Sequence, residues 1–131
     1  MKISRSTSYA LVAVGYIAQH YQDGLILAQS VHKEYGIPLE YLLKILQQLV
    51  RANVLRSKRG PRGGFSLAKP KEEITILEII EAVDGSMSGH LHLAEQTNNA
   101  PFSLKMEKVC KKATSQVRDI FSAAKLSDML N

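Results

Sequence analysis

The densest group of chemically active side chains in this sequence is a run of cations. It spans residues 51–62, contains no acidic residue, and carries Arg51, Arg56, Lys58, Arg59 and Arg62. The whole chain has a net charge of +5, and the excess lies in its first half. Residues 1–70 hold ten basic and three acidic side chains, whereas residues 71–131 hold seven and nine. A charge run is often only a solvated face, but one of this density around a turn favours a phosphate-binding surface.

A glycine-rich turn divides the cationic run. Its sequence is Arg59-Gly60-Pro61-Arg62-Gly63-Gly64, and apolar residues recur in the flanking segments 54–58 and 65–68. Three glycines and a proline in six residues predict a tight hairpin tip between two short strands. Glycine lets the backbone approach a duplex closely, and arginine is attracted to the negative potential of a narrow minor groove. The pattern therefore favours both arginines of the tip as groove contacts.

Helical periodicity occupies the chain on both sides of the hairpin. Helices are predicted at residues 4–21, 27–35, 38–52 and 75–84, the last opened by a capping box from Thr75 to Glu78. Proline suits the first turn of the third helix, because its missing N–H is not needed there. The predicted inner face of this helix is Leu39, Leu42, Leu43, Leu46, Leu49 and Val50. The opposite, polar stripe is Glu40, Tyr41, Lys44, Gln47, Gln48 and Arg51.

Three helices followed by a basic hairpin are the element order of a winged helix-turn-helix. The predicted fold is therefore mainly α with a small β-hairpin, and the second helix of the motif enters the major groove of DNA. The predicted DNA-binding residues are Lys2, Arg5, Pro38, Glu40, Tyr41, Lys44, Gln48, Arg51, Lys58, Arg59, Gly60, Arg62 and Gly63. Some of these have a structural alternative. Tyr41 could pack as a half-buried ring, and Arg51 could be a solvated charge favoured by the helix dipole. Lys2 and Arg5 could simply form a basic terminus.

A long last helix with a narrow apolar seam is predicted at residues 103–124. The seam steps by 4, 3, 4, 3 and 4 residues through Met106, Cys110, Ala113, Val117, Ile120 and Ala124. Such a seam is typical of a helix that packs along one partner helix. We therefore expect a homodimer, with packing on the chain's own domain as the alternative. The predicted organisation is a DNA-binding domain at 1–85, a sensor-type loop at 86–102, and a dimerisation helix and tail at 103–131.

Cys110 is the only cysteine, so a disulfide within one chain is excluded. Neighbouring lysines would favour its thiolate and make it a candidate redox sensor, whereas the alternative is a small apolar residue of the seam. His90 and His92, with Glu95, are weak candidates for a metal site with nitrogen and oxygen ligands. Solvent-exposed histidines are the alternative, and the residues predict no cofactor.

Several functional classes are disfavoured by what the sequence lacks. No apolar run reaches the roughly 18 residues of a membrane span, and the first residues do not read as a secretory signal, so a cytoplasmic protein without a membrane partner is expected. No glycine-rich loop joins a strand to a helix, and no nucleophile, base and acid recur at a recognisable spacing, which disfavours an enzyme. The main alternative to DNA binding is a winged-helix adaptor that binds protein. An adaptor has no need of Lys58, Arg59 and Arg62 together.

Four segments resemble the Rrf2 family of bacterial transcription regulators. They are Ser8-Tyr9-Ala10-Leu11, Leu39-Glu40-Tyr41-Leu42, Arg59-Gly60-Pro61-Arg62-Gly63-Gly64-Phe65 and residues 76–84. The resemblance implies a homodimer whose two winged domains read a pseudo-palindromic operator, with Arg59 in the minor groove. It also implies a regulator of transcription. Independently of the resemblance, a simple repressor that blocks polymerase is the default expectation.

The chain departs from the family pattern at residues 85–102. Many Rrf2 proteins bind an iron–sulfur cluster in this loop through three cysteines, but here the loop has none and carries His90-Leu91-His92. Thiolates are the ligands that hold such irons, so the sequence predicts a member without a cluster. In such a member the signal would be cysteine oxidation, a regulatory protein or an unknown small ligand.

Overall fold

The computed structural model describes residues 2–88 and 91–130. Its elements in chain order are α1 (Arg5–Gln19), α2 (Ala28–Tyr35), α3 (Leu39–Arg51), β1 (Leu55–Lys58), β2 (Gly64–Leu67), α4 (Ile76–Asp84), α5 (Leu93–Gln96) and α6 (Pro101–Ala123). Short 3-10 turns lie at Tyr21–Asp23, Lys71–Glu73 and Leu126–Met129. The predicted fold class is confirmed, because the described chain is mainly helical and its two strands form one antiparallel hairpin after the third helix.

The core lies where α1, α3 and α4 meet. Ile17 from α1, Leu42 and Leu46 from α3, and Ile79 from α4 are each at most 1% exposed. Burying a side chain of this size contributes about 1.5–3 kcal/mol relative to leaving it in water. This apolar cluster therefore holds α1, α3 and α4 together and leaves the outer face of α3 exposed to solvent.

The predicted inner face of α3 is wrong at one position. Leu42, Leu46 and Leu49 are buried as expected. Leu43, however, is 42% exposed, whereas Ile45, which the pattern assigned to neither face, is 1% exposed. Successive helical residues are turned by about 100°, so apolar residues at 42, 43, 45 and 46 form two overlapping stripes. Packing against α1 and α4 selects the stripe that contains Ile45 and leaves Leu43 at its edge.

The turn between α2 and α3 is fixed by a glycine and a proline. α2 ends at Gly36, whose φ of 70° lies in the left-handed region that favours glycine. Pro38 lies one position before α3 rather than within its first turn. Its carbonyl oxygen accepts the first helical hydrogen bond, from the Leu42 amide at 2.9 Å.

The hairpin is joined to the segment before α2. β1 and β2 pair in antiparallel register, with Lys58 opposite Gly64 next to the tip. The backbones of Ile26 and Phe65 exchange two hydrogen bonds of 2.8 and 2.9 Å. Gly64 lies against this contact with a φ of 150°, and a β-carbon there would lie 2.8 Å from the Ile26 carbonyl oxygen. Glycine is therefore required where the hairpin meets the chain that leads into α2.

The segment before the last helix is more ordered than predicted. α6 begins at Pro101, two residues before the expected position, and α5 occupies residues 93–96 of a segment expected to be a loop. The side chain of Glu107 in α6 accepts a hydrogen bond from the Ala94 amide at 2.7 Å. This contact comes from α6 and stabilises α5. Because the stabilising residue lies outside the loop, the pattern of residues within the loop does not predict α5.

The last third of α6 is attached to α4. Arg118 donates a hydrogen bond to the carboxylate of Glu81 on α4. Beyond the helix, residues 124–126 pair with residues 74–76 through two backbone hydrogen bonds of 2.8 and 2.9 Å. One face of α6 therefore packs on the chain's own domain, which was the alternative to packing on a second copy.

Polar contacts also join the start of α1 to the end of α4. The Ser4 hydroxyl caps α1 by accepting from the Thr7 amide at 3.1 Å, and it donates to Asp84 Oδ1 at 2.5 Å. Partial burial acts to raise the pKa of Asp84. Hydrogen bonds from the Ser4 and Thr7 side chains and from the Ser4 amide outweigh burial and hold this pKa below its ordinary value.

Replacing Ser4 with Ala is expected to lower the free energy of unfolding by about 1 kcal/mol at pH 7, because α1 loses its cap and Asp84 loses a donor. A carboxyl with a lowered folded-state pKa stabilises the fold above its unfolded-state pKa. That stabilisation is lost as the pH falls through the folded-state value, so the effect of Ser4→Ala should shrink in acid. Urea unfolding at pH 7 and at about pH 3, at one protein concentration, measures the difference.

The matched control is the same substitution in an Asp84→Asn background, where the loss should no longer depend on pH. A loss of equal size at both pH values in the wild-type background would show that Ser4 does not act through Asp84.

Candidate nucleic-acid interface

The outer face of α3 carries the predicted polar stripe. The exposed side chains of this stripe are Glu40, Tyr41, Lys44, Gln47 and Arg51, and Gln48 is half-buried. The Nε of Arg51 lies 3.4 Å from the Gln47 carbonyl oxygen, so this arginine also satisfies a backbone group in the last turn of the helix. An exposed polar face of this length on the second helix of the motif has the form of a recognition surface.

Tyr41 connects α3 to the beginning of α1. Its hydroxyl accepts a hydrogen bond from the Ser6 hydroxyl at 3.0 Å, and its ring meets the Tyr9 ring edge-on at 5.9 Å between centroids. The side chain is nevertheless 47% exposed. The ring of Tyr41 therefore packs against the start of α1, as one predicted description states, and still presents surface beside the polar stripe.

A polar depression lies on this side of α3. Its volume is about 260 Å³, and its polar lining comes from Ser4, Ser6, Tyr41, Lys44, Gln48 and Asp84. Lys2 and Arg5 are exposed at the neighbouring chain terminus, and Arg5 is the first residue of α1. The structure thus brings the terminal cations and part of the α3 stripe to one side of the molecule.

The hairpin tip lies on the opposite side of α3. Arg59, Gly60 and Arg62 are exposed. Gly60 has a φ of 104°, and its carbonyl oxygen accepts from the Gly63 amide at 2.9 Å, which closes the turn. A β-carbon on Gly63 would lie 2.2 Å from the Lys58 carbonyl oxygen. The tip glycines are therefore required by the hairpin itself, in addition to any close approach to a ligand.

The cations of this surface have little internal compensation. Arg56 donates to the Ala68 carbonyl at 3.1 Å and so braces the hairpin. Within residues 2–88 and 91–130, no ion pair involves the basic side chains of α3 or of the hairpin. Exposed cations that form no ion pair within the described residues favour a polyanionic ligand.

Between α2, α3 and the hairpin lies an apolar depression that the sequence patterns did not predict. Its volume is about 330 Å³, and its lining includes Leu27, Leu39, Leu43, Lys58 and Gly60. Leu27 is 53% and Leu43 is 42% exposed. Periodicity assigned Leu43 to the core, so no signal in the sequence marked this pair of side chains.

The apolar seam predicted on α6 is split between two faces. Cys110, Val117 and Ala124 are half-buried within the chain, whereas Met106, Ala113 and Ile120 are exposed. Phe102 and Val109, which the seam did not include, are 59% and 67% exposed, and Ile120 is 68% exposed. The exposed apolar row thus shares Met106, Ala113 and Ile120 with the predicted seam and adds Phe102 and Val109.

An apolar groove continues from this row. It has a volume of about 680 Å³ and is bounded by the last turns of α6, by α1 and by the final residues of the described chain. Ile120 belongs both to the row and to the groove, and Val12 and Met129, at 40% and 57% exposed, lie along it. Exposed apolar surface that continues over two elements is typical of a protein–protein interface.

The candidate sensor residues do not form a metal site in the described part of the chain. Cys110 is a free, half-buried thiol on α6. His92 Nδ1 lies 3.4 Å from a carboxylate oxygen of Glu95, and His90 lies outside the described residues. In the two described ranges, no group of three His, Cys, Asp or Glu side chains is arranged to hold a metal ion.

No helix within residues 2–88 and 91–130 combines the length and the apolar character needed to cross a bilayer.

Comparison with known proteins assigns the chain to a family. The profile described as "Rrf2: Iron-dependent Transcriptional regulator" matches residues 3–131. A candidate HTH-type transcriptional regulator of Aquifex aeolicus (strain VF5) is 31% identical over 137 residues, which cover 100% of this chain and 92% of that protein. The HTH-type transcriptional regulator IscR of Cereibacter sphaeroides is 38% identical over 90 residues. That match covers 67% of this chain, and the chain spans only a little more than half of the relative's length, 58%.

Solved structures share the fold. The structure of CymR (YrzC), the global cysteine regulator of B. subtilis, matches with a TM-score of 0.83 at 22% identity, over 98% of this chain and 95% of that chain. The oxidised form of Staphylococcus aureus CymR matches with a TM-score of 0.75 at 27% identity, over 96% and 93%. With a family profile over residues 3–131 and a helix-turn-helix relative aligned along the whole chain, this protein belongs to the Rrf2 family of helix-turn-helix transcriptional regulators.

Proposed function

We propose that this chain is a sequence-specific DNA-binding repressor that acts as a homodimer on a pseudo-palindromic operator. The observation that carries the proposal is the set of exposed cations on α3 and the hairpin tip, which no acidic side chain of the described residues neutralises. Neutralising phosphates with such side chains releases counterions and supplies most of the affinity for a duplex.

Each part of the surface has a role in the proposed complex. α3 enters the major groove, where Lys44, Gln48 and Arg51 contact phosphates or base edges and Glu40 accepts from a cytosine amino group. The hairpin tip reaches the neighbouring minor groove with Arg59 and Arg62. The remaining predicted contacts lie along the phosphate backbone of the duplex and fix the orientation of the protein on it. They are Lys2, Arg5, Pro38, Tyr41, Lys58, Gly60 and Gly63.

The exposed row on α6 supports the homodimer. Phe102, Met106, Val109, Ala113 and Ile120 are spaced by 4, 3, 4 and 7 residues, which places them along one side of a helix of 23 residues. Burial of such a row by a second copy removes apolar surface from water at about 25 cal/mol per Å². The interface then consists of this row, while Cys110, Val117 and Ala124 of the predicted seam pack within the chain. In this organisation residues 1–85 bind DNA, residues 86–102 form the sensor-type segment, and residues 103–131 dimerise.

The residues of this chain do not fit an iron–sulfur cluster, although the family description names iron. Such clusters are held by several protein thiolates. The chain has one cysteine, Cys110, and it lies on α6 rather than in the segment before it. The regulator therefore works without a cluster. Oxidation of Cys110, a regulatory protein and a small ligand are the candidate signals.

Replacing Arg59 with Ala is expected to weaken binding to an operator duplex by about 1–3 kcal/mol, because a minor-groove contact is lost from each half-site. The operator is first selected from a library of random duplexes, and binding is then measured by fluorescence anisotropy at several salt concentrations. The slope of log affinity against log salt should become less steep by about one unit per lost phosphate contact.

The matched control is Lys108→Ala, which removes an exposed cation on α6 and should leave affinity unchanged. If wild type selects no duplex and shows no steep salt dependence, the protein adaptor becomes the better description.

Replacing Ile120 with Asp should convert the dimer to a monomer at micromolar concentration, since a charge would be buried in the interface. Light scattering measures the mass of both proteins. Leu104→Asp is the control, because Leu104 is 47% exposed on another side of the same helix and should leave the dimer intact. A monomeric wild type, or equal effects of both substitutions, would contradict the interface.

Protein purified without oxygen should be colourless and free of stoichiometric iron and sulfide, because one thiol cannot replace the several that hold a cluster. Metal analysis and visible absorption before and after incubation with ferrous iron and sulfide check this, with Cys110→Ser expected to behave as wild type. A brown protein whose colour depends on Cys110 would overturn the cluster-free assignment.

A further inference from the structure

Two exposed leucines lie between the recognition helix and the hairpin. Leu27 and Leu43 line one depression of about 330 Å³, together with the half-buried Leu39. Single exposed leucines are common on protein surfaces. These two, however, share one concave site that also contains Lys58 and Gly60 of the hairpin.

Leu27 is not part of the buried core cluster. Ile26, the residue before it, is 7% exposed and pairs with the hairpin, whereas Leu27 is turned outward and is 53% exposed. Leu27 is the N-cap of α2 and makes no capping hydrogen bond with its side chain. Leucine is among the poorest N-caps, since Ser, Thr, Asn or Asp would each satisfy an open amide of the first turn. Leucine at this position therefore stabilises the start of α2 less than a polar cap would, and its apolar side chain is exposed.

Leu43 lies at the edge of the DNA-facing side of α3. It is one helical turn from Glu40 and from Gln47, both exposed members of the polar stripe. Leu43 is not part of the buried core cluster, whereas Ile45 of the same helix belongs to it at 1% exposure. Leu43 is thus an apolar group presented on a polar recognition helix.

The charges around this depression select its occupant. Lys58 lines it, and Arg59 and Arg62 are exposed at the tip of the hairpin that borders it, with Glu40 as the one acidic side chain exposed on α3. A surface that is apolar in the middle and cationic at its edges fits a polyanion that carries apolar groups. In the major groove of DNA the apolar group at the base edges is the 5-methyl of thymine.

We propose that Leu43 reads thymine by packing against its 5-methyl group, and that Leu27 covers the other side of this methyl and excludes water. The proposal rests on the proposed function, because it requires α3 to lie in the major groove. It makes Leu43 a specificity-determining residue. A cytosine at the same position carries a hydrogen on C5 and therefore lacks the methyl group that the two leucines would cover.

The test removes the methyl group and nothing else from the ligand. Synthetic duplexes of the selected operator carry deoxyuridine in place of one thymine at a time, and their affinity for the wild-type protein is measured at fixed salt. At one symmetric position in each half-site, the substitution should weaken binding about fourfold, the effect of one buried methyl group. The same substitution outside the contacted base pairs should change nothing.

A protein variant then assigns the effect to this side chain. Leu43→Ala should bind the thymine and deoxyuridine duplexes equally, whereas Leu43→Met, which stays apolar and long, should keep most of the discrimination. Leu104→Ala on α6 is the control and should discriminate as wild type does. Circular dichroism shows whether each variant is folded, and a wild-type scan in which no deoxyuridine position matters overturns the inference even where a variant is not folded.

The outcomes separate this inference from the function on which it rests. Tight, salt-dependent binding with no deoxyuridine position that matters would overturn thymine reading and leave the DNA-binding regulator in place. A deoxyuridine effect that persists in Leu43→Ala would assign the methyl contact to another residue and also overturn the inference. Failure to bind any duplex would overturn the regulator itself.

Discussion

The two backbone hydrogen bonds between Ile26 and Phe65 fix the position of the hairpin relative to the helices of the recognition surface. They join β2 to the residue that leads into α2, and both side chains are buried, at 7% and 8% exposure. The hairpin is consequently continuous with the helix-turn-helix rather than a mobile arm. Because the cations of the tip and of α3 already have a fixed spacing, binding a duplex requires little ordering of the protein. Gly64 is the residue that permits the contact, since any β-carbon would collide with the Ile26 carbonyl.

α4 connects the recognition surface to α6. Asp84 at its end receives hydrogen bonds from Ser4 at the start of α1, and Glu81 one turn earlier pairs with Arg118 of α6. Two carboxylates of one short helix therefore connect the recognition unit to the helix that carries the exposed apolar row. A displacement of α6 relative to α4 would break or rearrange the ion pair of Glu81 and strain the backbone hydrogen bonds between residues 74–76 and 124–126.

Local chemistry was enough to predict the hairpin and the order of the helices, because turns, caps and glycines act within a few residues. The sequence did not distinguish Leu43 from Ile45, since both are apolar and only contact with α1 and α4 decides which is buried. The same holds on α6, where Cys110 fits a heptad as well as Val109 does and packing within the chain selects between them. Where the burial of a side chain depends on residues distant in the sequence, only the tertiary structure shows which side chain is buried.

The ion pair of Arg118 also determines how small motions would be transmitted. α6 has 23 residues, so it is a rod about 34 Å long whose C-terminal part is attached to α4. A tilt of about 10° at the attached end would displace the free end by about 6 Å over that length. A displacement of this size at the interface of the proposed dimer exceeds the rise of one base pair, about 3.4 Å. A contact at the attached end of α6, such as the ion pair of Arg118 with Glu81, therefore limits how far the helix can tilt relative to α4.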